Sequence, residues 1–209
     1  MKSVPYIANP GNACALACYT MAAQYLIPEE QFTFEQFAKI AGWREGYIVW
    51  GFSLWKWLMD QGIHVTDYDT IDYEAWATDG MKGLQKSVPA KEFQYYKENT
   101  YDLEQEGLLV EKMLHHPNFT YKQQTPKWAD LIHEFNKPGI CDVTLNARRL
   151  NKEDGFSIHR VVLIDISDDT VTFHDPNKQA SGAYRKESLE HFRRVFESME
   201  APELARYYL

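Results

Sequence analysis

The chain has 209 residues, 44% of them hydrophobic and 14% aromatic, and a formal net charge of −8. Length and composition give one folded domain with a full core and exclude a disordered chain, while the acidic balance argues against nucleic acid as a partner, since a polyanion is repelled on average. No run of 18 apolar residues is present, so no membrane span is expected.

Residues 1–13 hold two prolines, a glycine and two asparagines and read as loop. They lack the continuous apolar region of a secretory signal. From Cys14 to Leu26 the apolar positions are dense enough for a largely buried helix, ended by Pro28. A second helix is predicted over 33–41, with Thr33 as N-cap and Gly42 closing it. A third runs from 53 to 61, with Ser53 as N-cap and Gly62 just past its end. Trp43, Tyr47, Trp50, Phe52, Trp55 and Trp57 form an aromatic cluster here. Core packing is its first reading and a substrate-cleft lining its second.

Residues 63–65 read as a short strand. The stretch 70–120 is rich in Tyr, Glu, Lys and Gln, and helices are predicted near 72–85 and 102–115. His115 and His116 fall at a helix end. They do not read as a metal pair, because adjacent helical side chains diverge. Another helix is predicted over 125–136, with Pro126 at its first position. Residues 139–145 read as a strand and 147–157 as a polar loop. Two strands follow at 158–166 and 170–174, joined by a tight turn at Ser167-Asp168-Asp169. A last helix covers 186–197. Helices first and antiparallel strands later make the fold class α+β.

Three residues suggest chemistry. Cys14 stands where the loop gives way to a helix, a place whose partial positive charge favours a thiolate. His159 and Asp175 lie on the two hairpin strands. An imidazole can act as base toward the thiol, and a carboxylate can orient the imidazole. Register tests this pairing. A symmetric turn between Asp168 and Asp169 would set Asp175 opposite Val162 and His159 opposite position 178, so a shift or a bulge is required. Cys18 and Cys141 read as core, and His174 as pointing away from the site. A zinc site of Cys14, Cys18 and His159 is disfavoured, since no Cys-x-x-Cys pair exists. Three cysteines are too few for a disulfide scaffold, which favours reduced thiols and a cytoplasmic location.

The stretch from Cys14 through Met21 to Leu26, together with His159-Arg160-Val161-Val162-Leu163 and Val171-Thr172-Phe173-His174-Asp175-Pro176, resembles the two motif blocks of the C39-type and C39-like cysteine peptidases, a papain-like family. Trp128 to Leu131 and Asn136 to Gly139 are similar to the helix and turn before that family's first sheet strand. The resemblance implies a papain-like α+β fold. In it, a helical part carrying Cys14 packs on an antiparallel sheet carrying His159 and Asp175. The domain would span 1–209, with a helical insertion around 65–125. It implies a thiol-dependent amide hydrolase or peptidase, with a peptide or small amide as substrate and no cofactor or metal. Two departures stand out. Ala15 follows the cysteine where the family has Gly, and Ala8 stands where the family has a Gln that donates to the oxyanion. Asn9 is the first substitute for that donor and Asn12 the second. An acyltransferase with the same residues, or a non-catalytic peptide-binding module, are the alternatives. The sequence sets no oligomeric state.

Overall fold

The computed structural model describes residues 1–177 and 182–209. Among them, β1 (His64–Asp69), β2 (Phe119–Gln123), β3 (Ile140–Asn146), β4 (Ile158–Ile166), β5 (Thr170–Asp175), β6 (Gly182–Ser188) and β7 (Leu204–Tyr208) form one sheet. Its order is β2-β1-β7-β3-β4-β5-β6. Neighbours run antiparallel except the parallel pair β1–β2. The strands of the last third, β3 to β7, pair antiparallel as expected. The sheet extends beyond them and is mixed: β1 overlaps the short strand expected at 63–65 and runs on to Asp69, and β2 lies in the stretch expected to be helical.

Helices cover both faces. On one face Val65, Val162, Ile164, Ala205 and Tyr207 pack with α1 (Cys14–Leu26) and α3 (Phe52–Asp60) into the larger core. On the other, Val143, Leu145, Val161, Leu163 and Phe173 meet α8 (Trp128–Phe135) and α10 (Leu189–Glu197). The architecture is a mixed α/β one, with seven strands between helices.

Capping chemistry explains where several helices begin. Thr33 and Gln36 form a capping box at the start of α2 (Phe34–Ile40), satisfying two orphan N–H groups. The expected Ser53 cap of α3 is replaced by Gly51, which makes no side-chain cap bond. A Cβ at Gly51 would come within 2.9 Å of the Tyr19 hydroxyl and the Trp55 ring, so the chain turns there without a side chain. α8 starts at Trp128, not at 125, because the Asp130 carboxylate accepts from the Lys127 N–H at 2.8 Å. The helix expected over 72–85 breaks at Gly80 (φ 60°, ψ −138°), giving α4 (Tyr73–Asp79) and α5 (Met81–Ser87). α6 (Ala90–Asn99) and α7 (Leu103–Leu114) complete this side, and a short α9 (Ala147–Leu150) opens the loop expected at 147–157.

Strand β1 buries two acids. Asp67 and Asp69 alternate onto one face, and the Tyr73 hydroxyl donates to both, at 3.2 and 3.0 Å. Burial pushes both carboxyls up, and for Asp67 repulsion from Asp69 adds to the rise. A carboxyl raised on folding adds stability below its unfolded pKa and loses it as pH rises toward the folded value. Asp67→Asn is therefore expected to gain stability relative to the parent chain between pH 4 and pH 7. Thermal melts at both ends of that range check it; an unchanged difference would show that Asp67 is ionised in the fold.

Candidate active site

Cys14 is the first residue of α1, after Ala13 at the N-cap, and the residue is half-buried. Leu16 to Ala23 bury behind it and fix the helix against the sheet. The preceding loop is tied to the β4–β5 hairpin at three points. Lys2 N–H donates to the Ile164 carbonyl at 3.1 Å, Asn9 N–H to the Pro176 carbonyl at 2.6 Å, and the Tyr6 hydroxyl to the Asp175 carbonyl at 3.0 Å. The segment that delivers the cysteine is thereby docked on the strands that carry His159 and Asp175.

The hairpin solves its register with a bulge. Ile166 pairs with Val171 and Asp165 with Thr172, as the symmetric turn predicts. Beyond that the ladder slips by one: Leu163 pairs with Phe173 and Val162 with His174, leaving Ile164 as the extra residue. Continued outward, this sets Asp175 across from Val161, two residues from His159. The slip decides which face the side chains share. Successive strand residues alternate, so the unshifted register would put His159 and Asp175 on opposite faces. Shifted, they become diagonal cross-strand neighbours, within reach of two long polar side chains.

Both residues are buried, His159 at 5% exposure and Asp175 at 1%. His159 Nε2 bonds Asp175 Oδ1 at 2.7 Å. The His159 ring also interacts with the Cys14 thiol, and with Nε2 taken by Asp175 the nitrogen left for sulfur is Nδ1. Asp175 Oδ1 further accepts from Asn177 N–H at 3.0 Å, and Oδ2 from Arg185 Nη1 at 2.9 Å.

Arg185 escaped sequence reasoning. It sits on β6, an edge strand whose first residues had no assignment from the sequence and whose last fall in the helix expected over 186–197. It is held by Glu187 at 2.9 Å, Asn151 at 2.8 Å and the Leu150 carbonyl at 3.2 Å. Replacing it with Leu strips donors from these acceptors. The expected cost is about 1–3 kcal/mol of stability in urea unfolding, with slower Cys14 alkylation. A variant as stable as the parent would show that water replaces the guanidinium.

The charges reinforce one another. Burial alone would raise the Cys14 pKa, but the His159 hydrogen bond and charge, with the Arg160 N–H and charge, pull it below the usual thiol value. Burial alone would discharge His159, but its bonds to Asp175 and Cys14 push its pKa up to about 10. Burial would lift Asp175 as well, yet His159, Asn177 and Arg185 hold it below the usual carboxylate range. The three groups favour a thiolate, an imidazolium and a carboxylate in sequence.

The other cysteines behave differently. Cys18 and Cys141 are fully buried. Burial pushes Cys141 up to about 12 and Cys18 well above the ordinary thiol value. His174 points away, its Nε2 against the Val4 carbonyl at 2.8 Å and its Nδ1 accepting from Tyr184 N–H at 3.0 Å. His115 caps α7 and His116 meets Asp60 at 3.3 Å. Among the described residues no group of three or more His, Cys, Asp or Glu could hold a metal ion.

Asn9 lies beside the cysteine's helix. Its Oδ1 accepts from Gly11 N–H at 2.9 Å and Ala13 N–H at 3.1 Å. That assigns the oxygen and leaves Nδ2 as a donor next to the start of α1. Asn12 is exposed. The aromatic cluster divides. Phe52 and Trp55 are core, while Trp43, Tyr47 and Trp50 line a cavity of about 360 Å³ with Tyr101 and Glu106, which Cys14, His159 and Asp175 do not line.

No protein-family model matches the chain, and no curated protein matches its sequence. A solved structure described as a double glycine motif protease from an AMS/PCAT transporter, in complex with the leader peptide, is similar in backbone. It is 14% identical with a TM-score of 0.49, over 99% of this chain and 91% of that one. At that identity residue roles do not transfer between the two. Among the described residues no helix is long and apolar enough to cross a membrane.

Proposed function

We propose that the chain, read as one papain-like unit over 1–209, is a thiol-dependent amide hydrolase acting on a peptide or small amide through Cys14, His159 and Asp175. The observation that carries this is the buried 2.7 Å bond between the His159 ring and the Asp175 carboxylate, with the same ring interacting with the Cys14 thiol at the start of α1. The Cys14 thiolate attacks the carbonyl carbon. The tetrahedral oxyanion is held by the Cys14 N–H at the helix start and by Asn9 Nδ2. His159 then gives its Nδ1 proton to the leaving amine, and an acyl-enzyme thioester remains. His159, now neutral, takes a proton from water, the resulting hydroxide attacks the thioester, and the proton returns to sulfur as the acid leaves. Asp175 keeps the ring oriented throughout.

Site-resolved alkylation by iodoacetamide at pH 6–7 tests the reading. Cys14 should react while Cys18 and Cys141 stay unmodified. Labelling of Cys14 no faster than that of the buried pair would overturn it.

A further inference from the structure

The aromatic cavity of about 360 Å³ plays no part in this reaction scheme. It lies between the segment that joins α2 to α3 and the start of α7, and these two walls are fastened to each other. Ile48 N–H donates to the Asn99 carbonyl at 2.9 Å, and Trp50 Nε1 donates to Thr100 Oγ1 at 2.8 Å. Tyr47 and Tyr101 meet edge to face at 5.6 Å, and the Arg44 guanidinium lies over the Tyr101 ring, 3.6 Å from its centre. Trp43 Nε1 donates to the Tyr47 carbonyl at 3.3 Å. The indole N–H groups of Trp43 and Trp50 are thus used inside the walls, and what these rings add to the lining is aromatic carbon. The volume falls in the range of small-molecule sites, roughly 300–1,000 Å³.

One polar atom at this cavity has no partner. Glu106 lines it from α7, and its Oε2 is buried without a hydrogen bond. Among the described residues a single other buried side-chain polar atom is unpartnered: Trp76 Nε1, on a ring packed edge to face against Trp50 at 5.1 Å. Gly107, the residue after Glu106, presses on the same indole, where a Cβ would come within 2.8 Å of Nε1. Both unpartnered atoms therefore belong to one corner of the fold. Buried polar atoms are nearly always bonded, so a carboxylate left open beside a cavity points to a guest that supplies the donor. Burial and the Asp102 charge push the Glu106 carboxyl up to about 8, and no neighbouring cation offsets them.

We propose that this cavity binds a guanidinium group, carried by an arginine side chain of a peptide or by a free guanidino compound. Glu106 accepts the N–H groups that the planar fork presents to a carboxylate, and the Trp43, Tyr47 and Trp50 rings pack on its flat face. Arg44 on Tyr101 displays the same affinity of this wall for a guanidinium within the chain itself. A guanidinium fits better than an ammonium because aromatic walls favour a flat, weakly hydrated cation. It fits better than an apolar or anionic guest because either would leave Glu106 unpaired. Cys14, His159 and Asp175 do not line the cavity, so this site stands apart from the hydrolase reading.

The test is a titration of the full chain with N-acetyl-arginine amide, with free arginine, and with the citrulline analogue of each. Tryptophan fluorescence reports through Trp43 and Trp50, and calorimetry gives the affinity. Citrulline keeps the shape and loses the charge. At least one arginine compound is expected to bind about tenfold or more tightly than its citrulline analogue. The tighter of the two arginine compounds identifies the source, peptide or free. Glu106→Gln, which keeps the shape of the acid, should remove the preference for arginine over citrulline. Tyr101→Leu changes a side chain 53% exposed, so it leaves the fold standing, and it should weaken arginine binding several-fold. It carries the test where Glu106→Gln does not fold. Arginine bound no tighter than citrulline, a preference that survives in Glu106→Gln, or no binding of any probe, in which case the cavity holds water alone, would each overturn the proposal. None of these outcomes bears on Cys14, and a parent protein with no fast-reacting Cys14 would overturn the hydrolase reading while leaving this site as it is.

Discussion

Cys14→Ser loses all but a trace of amide hydrolysis, a drop of about 10⁶-fold in turnover, while folding as the parent does. The size of the effect follows from what the site supplies to sulfur and not to oxygen. A helix N-terminus, an imidazolium and the Arg160 charge can ionise a thiol that starts near neutrality, but a serine hydroxyl lies many pKa units higher. Oxygen would need His159 as a free base. In the parent the proton transfer to His159 has already taken place, since Asp175 and the Cys14 thiolate together push the His159 pKa up to about 10, whereas a serine loses the thiolate's share and must be deprotonated anew in each turnover. Steady-state assays on a peptide amide library, with far-UV circular dichroism as the folding control, measure this. Serine activity within tenfold of the parent would mean that the reaction does not pass through sulfur.

The second large effect separates two uses of the same sulfur. Alkylation needs only the thiolate, so its rate should rise through the depressed Cys14 pKa and then stay level. Hydrolysis also needs a proton for the leaving amine. Its profile should be a bell, with the same acid limb and a basic limb near pH 10, where His159 discharges. His159→Ala should collapse both, cutting alkylation near pH 6 by about two orders of magnitude and hydrolysis by about 10⁴-fold or more. The linkage runs in the same direction. A histidine raised on folding stabilises the fold below its unfolded pKa and loses that contribution as pH climbs toward about 10, so the parent should melt lower at pH 10 than at pH 7, and His159→Ala should show less of that decline. A hydrolysis profile that stays flat beyond pH 10 would remove His159 as the acid.

Much of this was legible in the chain. The dense apolar run after Cys14, the two strands around Asp168-Asp169 and the Thr33 cap are local patterns, and the structure has each within a residue or so. Cys14, His159 and Asp175 were singled out by their places, one ahead of a helix and two on later strands, and the structure joins His159 to Asp175. What local pattern could not reach was set by the rest of the fold. Strand β7 lies in the middle of the sheet with both faces covered, so its side chains show no alternation to read. Strand β6 is an edge rich in charge, and with it went Arg185, the residue that fixes the far oxygen of Asp175. The helix break at Gly80 and the polar helix α6 were missed for a related reason. Each is held by packing against its neighbours and not by its own periodicity.

The extra residue at Ile164 also changes how such a site can be searched for. What the chemistry requires is that imidazole and carboxylate emerge on one side of the sheet, not that a set number of residues separates them. A relative without the bulge would keep the same pair one residue closer, and a relative with a second bulge one residue farther apart. Odd and even spacings are then equally good, provided that the kinks in the strand compensate. A pattern that counts from the histidine to the Asp-Pro would pass over such relatives, even where the pair itself is unchanged.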